Sequence, residues 1–356
     1  MPETSSSFVS QVSESARCAL LELADQFPWI ARETETFLVP ATALISGGKR
    51  ARARLAHLAW RAAGGAPSHE AIVAAGASLE LFQGAALIHD DVIDDAHTRR
   101  GAPAAHRHFA TTHHEAGLVG NPAHYGVSSA VLLGDLLLAL SQRRMVDAYR
   151  AAQRTSSAME IYSGMCAEVA LGQYLDVDAA AHGPGEVDAL ERSLTVVRHK
   201  SARYSVERPL VLGATLAGAG PQLVAALSAI GEPLGEAFQL RDDELGVFGD
   251  PAVTGKPAGD DIAEGKLTPL ILIGCEMAPS ADAQFIRAHL GNRDISASEV
   301  ERCRAILRDT GATVRHEALI SERHELAMTR IDAAPVDETI RAELAEMATS
   351  LTTRAF

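Results

Sequence analysis

The residues best suited to chemistry in this 356-residue chain are acids. Leu87-Ile88-His89-Asp90-Asp91-Val92-Ile93-Asp94-Asp95 ends a long apolar run that begins at Ser68. Asp90 and Asp94 are four apart, so a helix would present both carboxylates on one face; Asp91 and Asp95 form a second such pair. Four acids at a helix C-terminus oppose the macrodipole and repel one another, a cost that a cation would offset. Oxygen donors without Cys or His partners favour Mg²⁺, which joins one or two carboxylates to substrate phosphates. A second acidic run, Phe238-Gln239-Leu240-Arg241-Asp242-Asp243-Glu244-Leu245-Gly246, also follows apolar sequence. Two Asp-Asp pairs on two apolar helices point to metals held between facing helices of a bundle.

Cationic groups flank both runs. Gly47-Gly48-Lys49-Arg50-Ala51-Arg52 sets several charges beside glycines that let a ligand approach the backbone. It is not a Walker P-loop, because the leading glycine and the Ser or Thr after Lys are missing. Arg99-Arg100-Gly101 follows the first acidic run, Lys200-Ser201 lies mid-chain, and Gly255-Lys256-Pro257 with Gly265-Lys266 follows the second. Arg forks and Lys ammonium groups suit diphosphate oxygens.

The elements that must position these groups read as helices. Apolar residues fall at helical spacing, strict alternation is hard to find, and aromatics are only 4%. Breakers such as Gly64-Gly65-Ala66-Pro67, Gly120-Asn121-Pro122, Gly220-Pro221 and Gly249-Asp250-Pro251 separate helices expected near 12–38, 42–63, 68–95, 126–150, 155–176, 186–219, 222–248 and 267–277, with several more in 281–354. Ser68 and Thr155 suit N-caps, and 186–219 should bend at Pro209. Residues 1–10 are expected to be flexible. The segment 96–125, with His97, His106, His108, His113, His114 and His124, reads as the longest irregular piece, a solvated lid-like loop. The expectation is one all-α domain over residues 1–356.

Composition narrows the partners. Lys plus Arg is 32 against 46 Asp plus Glu, a net charge of −14, which disfavours nucleic acid. Cys18, Cys166, Cys275 and Cys303 are far apart, with no CxxC pair, and fit reduced thiols of a cytoplasmic protein. The uncharged stretch 209–231 is long enough for a membrane span, but Gly213, Gly218 and Gly220-Pro221 divide it into two buried helices. No membrane span is expected.

Taken in order, these motifs resemble the trans-isoprenyl diphosphate synthase (polyprenyl synthetase) family. The matching residues are GGKRAR at 47–52, ELFQ at 80–83, HDDVIDDAHTRRG at 89–101, LLGDLLLA at 132–139, GQYLD at 172–176, KS at 200–201, GEAFQLRDD at 235–243 and TGKPAGDDIAEGK at 254–266. The match spans roughly 40–275. It implies an isoprenoid synthase-type helical bundle around a deep central cavity, a homodimer, and head-to-tail joining of an allylic diphosphate to isopentenyl diphosphate. It also implies Mg²⁺ as cofactor, three ions per active site. By this resemblance Asp90, Asp94 and Asp242 ligate the metal, Asp91 and Asp243 support them, and Asp261 reaches it through water. Arg99, Lys200, Ser201, Gln239, Lys256 and Lys266 hold the allylic diphosphate. Gly48, Lys49, Arg52, Gln83 and Arg100 hold isopentenyl diphosphate.

Departures from the family pattern bear on product and metal. Gly246 stands where many members carry a third acid, and Asp250, two turns and about 12 Å beyond Asp242 along a helix, is too far to replace it. This DDxxG form resembles actinobacterial geranylgeranyl diphosphate synthases. Ala85 and Ala86 are small where short-chain members often place an aromatic floor, and Phe82 lies about 4.5 Å deeper, roughly one isoprene unit. Phe82 is therefore expected to limit the product at geranylgeranyl length, with farnesyl or C25 and longer products as alternatives. A terpene cyclase would need an Asn/Asp-x-x-Ser/Thr-x-x-x-Glu motif, which Asn121 and Asn292, in loop contexts, do not provide. A metal phosphohydrolase would need more His ligands in register. A non-catalytic subunit of a heteromeric synthase would tend to lose the acids and cations that this chain keeps.

Overall fold

The apolar periodicity resolves into helices in the computed structural model, which describes residues 3–153, 157–250 and 259–353. In chain order these are α1 (Glu3–Gln26), α2 (Ala31–Phe37), α3 (Val39–Ser46), α4 (Ala51–Ala62), α5 (Glu70–Ile93), α6 (Ala105–Glu115), α7 (Pro122–Ala151), α8 (Ala158–His182), α9 (Ala189–Val196), a π-helix (Val197–Glu207), α10 (Arg208–Leu216) and α11 (Pro221–Phe248). There follow α12 (Asp260–Glu264), α13 (Pro269–Met277), α14 (Ser280–His289), α15 (Ala297–Asp309), α16 (Ala312–Asp332) and α17 (Glu338–Thr352). Among the described residues, the sheet structure is one two-stranded hairpin, β1 (Thr98–Arg99) with β2 (Ala102–Pro103). The all-α reading holds.

The chain divides into two compact units, Met1–Met159 with Leu212–Ala219, and Glu160–Val211 with Gly220–Phe356. In the first, α5 packs against α1, α4 and α7. Its core joins Ala16, Leu20, Leu81, Ala85, Ile88, Leu133 and Leu137, small and branched side chains that let helices approach closely. Ser78 and Ser141 clasp α5 to α7, each hydroxyl donating to the other residue's carbonyl at 2.7 Å. In the second unit, α11 packs against the π-helix and α16. One core gathers Val247, Ile262, Leu270, Ile273 and Leu307, and a smaller one Ala237, Leu240 and Ile320.

Local chemistry explains several helix starts. Asn121 caps α7, accepting from Ala123 and His124 amides, with Pro122 at the first helical position. Ser296 and Glu299 form a capping box on α15. The division of 209–231 is as expected, with a turn at Gly218 (φ 80°) between α10 and α11.

Three local expectations fail. His69, not Ser68, caps α5, accepting from the Ala71 amide at 3.2 Å. At the N-terminus α1 starts at Glu3, and buried Phe8 stacks on His57 with ring centroids 4.0 Å apart. Much of 96–125 is helical, because His106 and His113 join Ala105 and Phe109 on the buried face of α6. The 186–219 stretch departs from α-helical register through an eleven-residue π-helix that ends just before Pro209, rather than through a proline bend. Thr155 lies outside the described residues.

His316, on α16, is fully buried, and among the described residues neither ring nitrogen has a hydrogen-bond partner. Burial, then the nearby Arg241 charge, push its pKa down from 6.5 to about 4. A depressed pKa means that the unfolded chain takes up the proton first as pH falls, so this contribution is intact above about pH 6.5 and is lost towards pH 4. The loss should reach about 3 kcal/mol, from 1.36 kcal/mol per pKa unit. Urea unfolding from pH 8 to 4 should show the stability difference between wild type and His316→Leu shifting by that amount in the variant's favour. A difference independent of pH would refute it.

Candidate active site

The first acidic run ends α5 as its spacing implied. Asp94 is the C-cap residue, so Asp90 and Asp94 keep their i,i+4 relation, whereas Asp95 has left the helix at φ 51°. The expected Asp91–Asp95 helical pair therefore does not form. Asp91 is buried and receives Arg99 Nε at 2.8 Å, and the same guanidinium lies 3.8 Å from Asp90 Oδ2. Asp95 instead takes Arg107 at 2.6 Å. His89 docks sideways onto α7, its Nε2 3.2 Å from the Val131 carbonyl and 3.5 Å from Asp135. Gly134 makes that possible, since any Cβ there would overlap the imidazole. The LLGD motif thus anchors the acidic helix.

Two cationic motifs about fifty residues apart meet beside that helix. Arg100 and Gly101 are the two turn residues of the hairpin, both at positive φ (54° and 76°), as a type I′ turn requires. Arg100 Nη1 donates to the carbonyls of Leu44 (2.7 Å) and Gly47 (3.0 Å). A Cβ on Gly48 would lie 3.2 Å from Arg100 Nη2, and Gly48 itself sits at φ 108°. Partial burial, then the charges of Arg50, Arg99 and Arg52, hold the Arg100 guanidinium below its ordinary pKa, against the pull of Glu80. Arg50 is turned inward. Left-handed at φ 53°, it donates to Gly47 (2.6 Å), Ser13 (3.1 Å), the Ile45 carbonyl and Glu80 (3.0 Å). Lys49 is exposed, and Arg52 and Gln83 are half-buried.

In the second unit, the π-helix carries Lys200 and half-buried Ser201. Three glycines let neighbouring helices close on it. A Cβ on Gly172 would come within 2.5 Å of the Lys200 amide nitrogen, one on Gly231 within 2.5 Å of Glu207 Cα, and one on Gly235 would overlap the Ala202 carbonyl. Lys200 Nζ donates to Asp176 Oδ2 at 2.6 Å. Below it, Glu168 accepts from His199 (2.8 Å) and Arg208 (2.8 Å) and pairs with Arg203 (2.9 Å). Burial opposes ionisation of Glu168, but the hydrogen bonds from Arg208 and His199 prevail and lower its pKa.

The second acidic run lies on α11. Buried Asp243 accepts from Gln239 Nε2 at 2.8 Å, one turn earlier. Burial, then the negative charges of Asp261 and Asp242, push the Asp243 carboxyl well above the usual range, against that hydrogen bond. Asp261, on α12, is buried, and Lys266 Nζ lies 2.7 Å from Glu264 and 3.9 Å from Asp261. Arg241 donates to the Thr352 carbonyl (2.9 Å) and Glu317 (2.8 Å), fixing the motif to α17 and α16. Lys256 lies outside the described residues.

These donors fit a hard divalent cation. They are carboxylate oxygens, and at Asp243 burial together with the charges of Asp261 and Asp242 opposes ionisation. Among the described residues, no three His, Cys, Asp or Glu side chains could hold an ion by themselves. Mg²⁺ is commonly held by one or two carboxylates, with phosphate oxygens and water completing its shell. Of the chain-length residues, Phe82 and Ala86 stand on the side of α5 that carries Asp90, at i,i+4 and i,i+8. Ala85 instead is packed in the core with Leu81 and Ile88. The structural partners Glu80, Asp176 and Glu168 received no role from sequence. Glu80 and Asp176 lie in the ELFQ and GQYLD motifs, which were signals for them.

Two substitutions probe this scaffold. Arg50→Ala leaves Glu80 as an uncompensated buried charge and should cost about 3–5 kcal/mol in urea unfolding. A cost below about 1 kcal/mol would mean that the pair does not pin the loop. Gly172→Ala should displace the Lys200 backbone and cut turnover about 100-fold. Unchanged turnover would show that the tight approach is dispensable.

A family model described as polyprenyl synthetase matches residues 34–307. A short chain isoprenyl diphosphate synthase of Methanothermobacter thermautotrophicus is 31% identical over 84% of this chain and 84% of its own. A geranylgeranyl diphosphate synthase of Mycobacterium tuberculosis is 31% identical over 83% of this chain and 77% of its own. A crystal structure of a geranylgeranyl pyrophosphate synthase from Corynebacterium glutamicum, complexed with isoprenyl diphosphate and magnesium, matches with a TM-score of 0.91 and 36% identity, covering 98% of this chain and 99% of that one. On the family match and on relatives similar over most of their length, the chain belongs to the polyprenyl synthetase family.

Proposed function

We propose that this chain is a geranylgeranyl diphosphate synthase, joining an allylic diphosphate head to tail with isopentenyl diphosphate. The observation that carries the reading is the meeting of GGKRAR with Arg100 beside the first acidic helix, a cluster of guanidinium groups in a chain of net charge −14. Such a cluster suits a diphosphate. The family match and the magnesium-bound corynebacterial relative support it.

In this reading Asp90, Asp94 and Asp242 hold Mg²⁺, with Asp91, Asp243 and Asp261 supporting them. Mg²⁺, when bound, supplies Lewis-acid stabilisation of the charge that gathers on the departing diphosphate. Arg99, Lys200, Ser201, Gln239, Lys256 and Lys266 take the same group as hydrogen-bond donors, so the allylic C–O bond breaks with its charge already met. Lys49, Arg52, Gln83, Arg100 and the Gly48 backbone hold isopentenyl diphosphate so that its double bond attacks the allylic cation with little further ordering. The released diphosphate accepts the final proton. Asp176 holds the Lys200 ammonium in place.

Phe82, about 12 Å from Asp90 along α5, sets the chain-length floor, with small Ala86 leaving the path open. Residues 1–356 act as a single catalytic domain, working as a cytoplasmic homodimer. Exposed Leu132 and Tyr125 on α7 suit self-association.

Purified chain given Mg²⁺, isopentenyl diphosphate and C5, C10 or C15 primers should yield mainly C20 diphosphate. Phe82→Ala should shift products to C25 and beyond, and Lys200→Ala should lower turnover about 10²–10³-fold. Cyclised hydrocarbon from a primer alone, or no transfer without a second protein, would overturn the assignment.

A further inference from the structure

Position 246 lies four residues after Asp242, on the same side of α11, where a third carboxylate would complete an i,i+4 pair like Asp90 and Asp94. The residue there is glycine, and its space is occupied. A Cβ built on Gly246 would overlap Oδ2 and Cγ of Asp261 and lie 2.8 Å from its Oδ1. The carboxyl of Asp261 fills the volume in which the third acid's own side chain would begin.

Asp261 is held there firmly. Helix α12 is framed by two left-handed glycines, Gly259 (φ 78°) and Gly265 (φ 79°). Ile262 anchors it in the core, and the Ile262 carbonyl accepts from the Gly291 amide at 2.9 Å. Gly265 rests on Gly291, where a Cβ would stand 3.0 Å from its Cα. The Lys266 amide donates to the Asp261 carbonyl at 3.0 Å, closing the helix end. The negative charge that Asp243 senses most strongly is that of Asp261, so the two carboxylates are close neighbours.

We infer that Asp261 takes over the part of the missing third acid of the second motif, and that Gly246 is the residue that admits it. Gly246 is thus a complement to Asp261 rather than a weakened ligand position. The inference rests on the proposed role of Asp242 in holding Mg²⁺, and deepens it by naming the carboxylate that works beside it.

Calorimetric titration of Mg²⁺ into the protein with inorganic diphosphate, together with ligand-free melting temperature, tests this. Gly246→Ala and Asp261→Asn should each weaken Mg²⁺ uptake by about 10–100-fold, the range for lost supporting groups around a metal, with melting nearly unchanged for Asp261→Asn. In an Asp261→Ala background, Gly246→Ala should cost nothing further. The exchange variant Gly246→Asp/Asp261→Gly should recover uptake to within a few-fold of wild type. Independent effects of the two sites, wild-type uptake in Gly246→Ala, or an exchange variant as weak as Asp261→Ala would overturn the inference. Wild-type protein that takes up no Mg²⁺ with diphosphate would overturn the proposed function, and this inference with it.

Discussion

Repulsion between carboxylates held close together in partly buried surroundings is the constraint on which the rest of this structure depends. Asp90, Asp91 and Asp94 sit at a helix C-terminus, where the backbone dipole disfavours them. Burial, and then the neighbouring charges of Asp261 and Asp242, raise the Asp243 pKa well above the carboxylate norm. Nothing in packing rewards such placement. It becomes favourable when a divalent cation, itself partly ligated by phosphate oxygens, enters. Arg99 relieves part of the strain in the first motif by bridging Asp91 and Asp90.

Glycine at points of close approach does the positioning. Gly134 admits His89 and so orients the first acidic helix, Gly172, Gly231 and Gly235 bring helices onto the π-segment that carries Lys200, and Gly246 admits Asp261. At each of these positions an added methyl group would meet backbone or a ring or carboxyl already fixed in place. Precise placement of charged groups is worth more to a reaction of this kind than extra charges would be, because misplacement by an ångström forfeits much of the rate. The buried Arg50–Glu80 pair serves the same end by folding the GGKRAR loop, which leaves Lys49 exposed.

The acids, the cations and the helical architecture were legible in the sequence because residue type and i,i+4 spacing are local properties. The π-helix was not, since a shift in hydrogen-bond register leaves apolar periodicity nearly unchanged. The segment 96–125 was misread because His106 and His113 serve as core-face residues of α6, a role that polar composition hides. Arg50 was indistinguishable from its neighbours by type; only its left-handed backbone turns it inward. Gly246 read as a deficit because its partner, Asp261, lies fifteen residues further along the chain.

The central claim is that these carboxylates hold a cation in company with diphosphate rather than alone. Titration with Mn²⁺ as a paramagnetic stand-in for Mg²⁺, followed by electron paramagnetic resonance with and without inorganic diphosphate, addresses it directly. The account predicts weak Mn²⁺ uptake by the protein alone, and tight uptake once diphosphate is present, lost on replacing Asp90 or Asp242 by Asn. Equal uptake without diphosphate, or tight uptake that survives both replacements, would contradict it.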